Sequence, residues 1–185
     1  MNSKGLSKLL ATALLAGAGI AGAVDRSAAP ATDATLQNQI GHEIRMYTRY
    51  TIWDDISYRV HDGQVELFGA VNQPFKKSDI ERIVRGIPGV VSVTDQVKVL
   101  PLSNFDDRLR LQVARAIYSD PVLNRYALQA VGPIHIIVDN GHVTLTGVVN
   151  NEMEKNVAGI RANGAGLSFG SVTNNLRVEN PGRKG

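Results

Sequence analysis

Cysteine is absent from the 185-residue chain, which rules out disulfide bridges, cysteine nucleophiles and cysteine-based zinc sites. Without that residue we also expect no lipid anchor. Aromatic residues make up only 5% of the chain, and the formal net charge is just +3. Nucleic-acid binding requires a basic stripe, and the sequence has only short basic clusters, so we expect no nucleic-acid partner.

Long hydrophobic runs are also lacking, apart from one stretch near the N-terminus. Lys4 and Lys8 precede the uncharged segment 9–20, and small residues follow at 21–23. This order predicts a secretory signal peptide over residues 1–23 and therefore a secreted protein. The alternative is an uncleaved anchor, although a membrane span needs about 20 strongly apolar residues. Removing Lys4 and Lys8 leaves 18 basic and 17 acidic residues, so the mature chain is nearly neutral.

An internal repeat organises the rest of the chain. Residues 56–72 align with residues 134–150 at an offset of 78, and eight of the 17 positions are identical. A second block, 93–99, aligns with 172–178 at an offset of 79. Duplicated blocks in the same order indicate two copies of one structural unit.

Each first block has the pattern of a β-hairpin. Asp62-Gly63 and Asn140-Gly141 are two-residue turn signals, because a type I′ turn requires positive φ at both central positions. The turn predicts that Val60 faces Val65, and the alternation of side chains then gives each hairpin one buried and one solvated face.

Helical patterns flank each hairpin, and a last strand follows the second helix. The apolar stripes that predict these helices lie at Leu36–Tyr47, Ile80–Ile87, Leu109–Ile117 and Met153–Ile160. The unit is therefore α-β-β-α-β, twice. We expect a flexible leader at 24–33, one module at 34–101, a short linker, a second module at 105–179 and a polar tail at 180–185. Modules of about 70 residues are marginally stable alone, so the two copies are expected to pack together.

The string Val-x-Asp-Gly-x-Val-x-Leu-x-Gly-x-Val, followed by a helix and by Pro-Gly-Val-x-x-Val, resembles the BON domain (bacterial OsmY and nodulation). It stands at 60–71 and 88–93. The second copy, at 138–149, has Asn140 in place of Asp, and residues 166–169 replace its Pro-Gly-Val. The resemblance implies an α+β fold of two tandem modules, each with two helices on a three-stranded mixed sheet. It also implies a protein without catalytic activity that binds phospholipid surfaces or envelope partners.

No catalytic or cofactor site emerges from the residues. His135 and His142 lie on one hairpin, but they are separated by roughly 13 Å at the rise of a strand, too far for one metal ion. The glycines at 164–170 lie between a helix and a strand, the reverse of the order in a phosphate-binding loop. We therefore predict no enzyme activity, no metal and no cofactor.

Two segments stand out as candidate binding surfaces. The helix expected at 74–86 is basic and amphipathic, which suits an anionic surface, although an ordinary solvated face remains the alternative. The aromatic segment 47–53 suits a membrane edge or a partner, although capping of the hairpin core is the alternative. The resemblance adds two basic positions on the helix of the second copy. The candidate binding residues are Phe75, Lys76, Lys77, Arg82, Arg85, Trp53, Tyr50, Lys155 and Arg161.

These observations favour a periplasmic protein that binds anionic phospholipid or a membrane-associated partner peripherally, in envelope maintenance or osmotic stress. The alternative is a protein–protein interaction module of the envelope that does not bind lipid. The sequence leaves the lipid, the partner and the oligomeric state open.

Overall fold

The computed structural model describes residues 32–165 and 170–179. The predicted signal peptide, the tail, most of the leader and the helix-to-strand corner at 166–169 lie outside the described residues. Within them the chain forms two successive α+β modules, as the sequence predicts.

The first module begins with a helix whose N-terminus is capped by the Thr32 hydroxyl. This helix starts one residue before the predicted module boundary. A hairpin, a second helix and two short strands follow. The elements are α1 Asp33–Met46, β1 Asp55–His61, β2 Gln64–Val71, α2 Pro74–Arg85, β3 Ser92–Asp95 and β4 Lys98–Val99.

The second module repeats this order and adds a 3₁₀ helix between its first helix and its hairpin. Ser103 and Asn151 cap the two α-helices with their side chains. The elements are α3 Asn104–Tyr118, the 3₁₀ helix Asn124–Leu128, β5 Ile134–Asp139, β6 His142–Val149, α4 Glu152–Asn163, β7 Val172–Asn174 and β8 Arg177–Val178.

The predicted hairpin register is confirmed in both modules. Val60 lies opposite Val65, and Val138 lies opposite Val143. The φ angles at Asp62 and Gly63 are 49° and 71°, and those of the second turn are 52° and 81°. Both turns therefore have the positive φ angles of a type I′ turn.

The last strand of each module is interrupted, so the third strand of each predicted sheet consists of two short segments. β3 and β4 both pair in parallel with β2, and β7 and β8 both pair with β6. Between β3 and β4 the Asp95 carboxylate accepts a hydrogen bond of 2.8 Å from the Val97 amide. Asn174 and Leu176 repeat this arrangement at 3.2 Å. The break turns Val97 and Leu176 into the two cores, where they are 3% and 1% exposed.

An aspartate at the start of each first helix fastens the hairpin turn. Asp33 accepts hydrogen bonds from the amides of Asp62 and Gly63 at 2.9 and 3.1 Å. Asp106 accepts the equivalent pair from Asn140 and Gly141 at 3.0 and 2.8 Å. The amides of a type I′ turn are thus satisfied by a carboxylate from the neighbouring layer.

Each module has its own hydrophobic core between its helices and its sheet. The predicted stripe on α4 is wrong, since Met153 and Ile160 are 49% and 68% exposed. The buried face of α4 consists mainly of small residues, including Ala158, Gly159 and Ala162. A Cβ atom at Gly159 would lie 2.8 Å from the Asn174 side chain, so this face packs too closely for larger side chains.

The segment that precedes β1 in the first module packs against the second module. The Ile136 amide in β5 donates a 2.7 Å hydrogen bond to the Ile52 carbonyl, and Ile52 and Trp53 contact the second core. Lys98 in β4 also pairs with Asp139 at the end of β5. The modules are therefore held together by a backbone contact, apolar packing and an ion pair.

Candidate functional site

The start of α2 carries an exposed aromatic ring next to a cation. Phe75 is 42% exposed, and the Arg49 guanidinium carbon lies 5.1 Å from the centre of its ring. This distance is within the range of a cation–π contact. Phe75 therefore presents part of its ring to solvent, with the Arg49 guanidinium in contact with it.

The two arginines predicted on α2 are exposed, and each has an acidic neighbour on the same helix. The Arg82 side chain is 76% exposed and pairs with Asp79; the Arg85 side chain is 58% exposed and pairs with Glu81. Asp79 also accepts a 2.7 Å hydrogen bond from the Tyr47 hydroxyl. The hydrogen bond from Tyr47 is the main cause that holds the pKa of Asp79 below its ordinary value, and the bond from Arg82 is the next.

The Tyr47 bond joins the end of α1 to α2, and it also affects the tyrosine. The pKa of Tyr47 is raised to about 12, mainly by burial and next by the bond to Asp79.

The Lys77 side chain is more restricted than those of the arginines. Its ammonium donates a 2.7 Å hydrogen bond to the Val97 carbonyl and lies 3.8 Å from Asp95. The basic face of α2 is therefore partly neutralised by the protein's own acceptors.

Lys76 lies inside the protein and not on the basic face. Its side chain is 5% exposed, and its ammonium is 2.6 Å from a carboxylate oxygen of Asp54, which is fully buried. Asp54 also accepts hydrogen bonds from Thr51 and from the Asn72 amide. Lys76 therefore organises the approach to β1 and is not available to a membrane or a partner.

The aromatic residues before β1 contact the second module. Trp53 packs against the second core, and the Tyr50 ring lies 5.5 Å from the His135 ring. A nitrogen of His135 is 2.6 Å from the Asp54 carbonyl oxygen. Burial is the largest cause that raises the pKa of Tyr50. These residues build the junction between the modules.

The two predicted residues on α4 are separate from the α2 surface. Arg161 pairs with Asp120 at 2.5 Å, and its side chain is 52% exposed. Lys155 is half-buried, and its carbonyl accepts a 2.7 Å hydrogen bond from Asn174. The structure thus places four of the nine predicted residues on the α2 surface, two at the module junction and two on α4, and it buries Lys76.

A buried ionic cluster in the second module escapes the sequence reasoning. Glu154 is 1% exposed, pairs with Arg125 and accepts a 2.6 Å hydrogen bond from the Tyr126 hydroxyl. The pKa of Tyr126 is raised mainly by burial and next by the bond to Glu154. Glu154 occupies the position that matches Lys76 at the repeat offset of 78. This reversal of charge between the copies is the sequence signal that could have marked both positions.

One group of possible metal ligands occurs among the described residues, formed by Asp33, His61 and Asp62. Both carboxylate oxygens of Asp33 already accept amide hydrogen bonds from the turn. His61 and Asp62 are exposed, with side chains 87% and 81% accessible. The cluster is therefore explained by the fastening of the hairpin. None of the helices in ranges 32–165 and 170–179 has the length and apolarity needed to cross a bilayer.

The sequence model of the BON domain matches residues 32–101 and again residues 106–180. The chain belongs to the BON domain family. BON domains suggest a non-enzymatic protein associated with the cell envelope, and this chain has two of them. Both matches follow the two modules seen in the structure.

Solved structures that match this chain include CdsD, a structural protein of the type III secretion system of Chlamydia trachomatis. One match has 16% identity and a TM-score of 0.27, and covers 76% of this chain and 91% of the other. The C-terminal domain of CdsD gives 16% identity and a TM-score of 0.28, with coverage of 77% and 96%. Overall similarity this low carries no argument about function. No curated protein matches significantly.

Proposed function

We propose that this two-domain BON protein is a non-enzymatic periplasmic protein that binds the surface of anionic phospholipid membranes through the start of α2. The observation that carries the proposal is the exposed Phe75 ring with Arg49 stacked beside it and two exposed arginines along the same helix. An aromatic ring suits the boundary between headgroups and acyl chains, and cations suit the headgroup layer.

The charge of the α2 surface limits its affinity for an anionic membrane. Each basic residue near an anionic membrane contributes about 1 kcal/mol. Arg82 and Arg85 pair with acids on their own helix, so their contribution is smaller than that of unpaired arginines. We therefore expect weak, peripheral and salt-sensitive binding, which would serve envelope maintenance or the response to osmotic stress.

Co-sedimentation with vesicles of phosphatidylglycerol and phosphatidylcholine tests the proposal at low and high salt. We expect binding at low salt, loss of binding at high salt, and no binding to pure phosphatidylcholine. Changing Lys77, Arg82 and Arg85 to Gln should weaken binding by up to roughly a hundredfold. Lys76 is left unchanged, because its replacement would disturb the fold.

Phe75→Ser separates the aromatic contribution from the charge. It should weaken vesicle binding, whereas Phe105→Ser, a matched change at the start of α3 where Phe105 is 50% exposed, should not. Absence of binding to anionic vesicles at low salt would refute the proposal, as would equal effects of the two phenylalanine changes.

A second candidate is a protein–protein interaction module, and the outer edge of β1 favours it. β1 is an edge strand in its sheet, and a concavity of about 640 Å³ runs beside Ser57 and Arg59 and includes Arg177. An exposed edge can accept a strand from a partner. Cross-linking from position 57 in the periplasm, in a protein that does not bind vesicles, would favour this function.

A further inference from the structure

A cavity of about 440 Å³ lies at the junction between the two modules, apart from the α2 surface and from the edge of β1. Its volume is within the range of small-molecule sites. Aromatic and aliphatic side chains provide most of its wall. They include Tyr50, Ile52, Ala114, Tyr118, Tyr126 and Val131.

One wall of the cavity comes from a segment that the first module lacks. Asp33 and Asp106 are 73 positions apart, whereas Ile56 and Ile134 are 78 apart, so the second copy has five more residues between its first helix and its hairpin. The added length falls within residues 119–133, which include the 3₁₀ helix. The part that reaches the cavity, 126–132, has no charged residue, and Leu128 within it is 89% exposed.

The hydroxyls of two of the three tyrosines in the wall are already bonded. The Tyr118 hydroxyl donates a 2.7 Å hydrogen bond to the Ile134 carbonyl, and the Tyr126 hydroxyl donates one to Glu154. Burial raises the pKa of Tyr118 to about 12, so this hydroxyl keeps its proton at neutral pH. These rings therefore add apolar surface to the cavity without adding charge.

Arg115 is the one charged residue in the lining. It is exposed on α3, and within the described ranges no carboxylate oxygen lies within 4.0 Å of its guanidinium. A predominantly apolar cavity with an uncompensated cation in its lining complements a molecule with an apolar body and one negative group. The charge argues against a cationic ligand, and the apolar walls argue against a fully polar one.

We propose that this cavity binds a single-chain anionic amphiphile, with its hydrocarbon chain between the modules and its acidic head on Arg115. The site requires no bilayer, so it goes beyond the binding of a membrane surface and does not depend on it. The exposed Leu128 beside the cavity extends the apolar path by which such a chain enters.

Isothermal titration calorimetry with dodecanoate, below the concentration at which it forms micelles, tests the charge. We expect saturable one-to-one binding. Arg115→Gln should weaken the affinity roughly tenfold, as expected for loss of a charge-assisted hydrogen bond. Arg108→Gln removes an exposed arginine two turns away on the same helix and outside the lining, so its affinity should stay unchanged. Dodecyltrimethylammonium, with the same chain and a positive head, should bind at least tenfold more weakly than dodecanoate.

Two changes fill the cavity from opposite walls. Ala114→Leu acts from α3, and Ala127→Leu acts from the 3₁₀ helix, where Ala127 is exposed and the fold is least affected. Each should weaken dodecanoate binding at least tenfold. The proposal is overturned if dodecanoate does not bind the unmodified protein, if both filled variants bind normally, or if the cationic chain binds equally well. Failure of vesicle binding leaves these outcomes unaffected, so the two proposals are tested separately.

Discussion

The buried pair of Asp54 and Lys76 gives the sharpest test of what stabilises the first module. Removing the Asp54 carboxylate in Asp54→Ala leaves the Lys76 ammonium, 5% exposed, without its partner at 2.6 Å. It also leaves the Asn72 amide without its acceptor. Lys76 is the third residue of α2, where the positive end of the helix dipole disfavours a cation. The helix therefore does not compensate the charge of Lys76 once the Asp54 carboxylate is removed.

The expected cost follows from this loss. Breaking a buried ion pair by removing one partner typically costs about 3–5 kcal/mol. We expect Asp54→Ala to fall in that range. Lys76→Met should cost less, because Asp54 retains its hydrogen bonds from Thr51 and from the Asn72 amide. The Asp54→Ala/Lys76→Met double variant should cost less than the sum of the single changes, since it leaves no unpaired buried charge.

Urea denaturation followed by circular dichroism measures these free energies of unfolding. Glu66→Gln is the matched control, because it breaks the pair with Arg59 in which the side chains are 38% and 75% exposed. An exposed pair contributes at most about 1 kcal/mol. A loss below about 1 kcal/mol for Asp54→Ala, or additive effects in the double variant, would show that the pair does not stabilise the fold in this way.

Two further predictions concern the hairpins. Gly69 has a φ of 114°, and a Cβ atom there would lie 2.0 Å from the Asp55 carbonyl oxygen, so Gly69→Ala should cost at least about 3 kcal/mol in denaturation. At Gly86 the φ is -80°, and a Cβ atom would lie 3.4 Å from the Ile83 carbonyl oxygen, an ordinary van der Waals contact. Gly86→Ala should therefore change stability by less than about 1 kcal/mol, and similar losses in both variants would contradict the geometry. Hydrogen bonds from the amides of Gly63 and Asp62 hold the pKa of Asp33 below its ordinary value. The carboxylate's contribution to stability is therefore complete above its unfolded-state pKa and is lost as the pH falls through the lower folded-state value. Asp33→Asn should reduce this loss of stability in acid, measured by pH titrations monitored by circular dichroism. An acid unfolding curve identical to that of the unmodified protein would refute this role of Asp33.

The sequence contained most of the fold because the decisive signals were local. Asp62-Gly63 and Asn140-Gly141 determine both turns, and the turn in each hairpin determines every opposed pair along it. The break in the third strand was not predictable from alternation, since it depends on Asp95 and Asn174 bonding to a backbone amide two residues later.

The candidate site was harder to predict, because it depends on what lies across from each side chain. Lys76 and Lys77 are adjacent in sequence, yet Lys76 is buried against Asp54 whereas Lys77 reaches the Val97 carbonyl. The prediction of an apolar stripe on α4 was wrong for a related reason. Large apolar residues usually mark the buried face, but here close approach of α4 to Asn174 selects small residues and leaves Ile160 outside.

The two copies differ mainly in the charge of their second helices and in the segment that precedes their hairpins. The hairpin fastening by Asp33 and Asp106 and the interrupted last strand occur in both modules, so they maintain the fold. The basic surface of α2 belongs to the first copy alone, whereas the added uncharged loop and the cavity wall belong to the second. Because Ile52 from the first copy also lines that cavity, neither module contains the whole of it. The cavity therefore arises from the pairing of two copies, one of which has the added 3₁₀ helix.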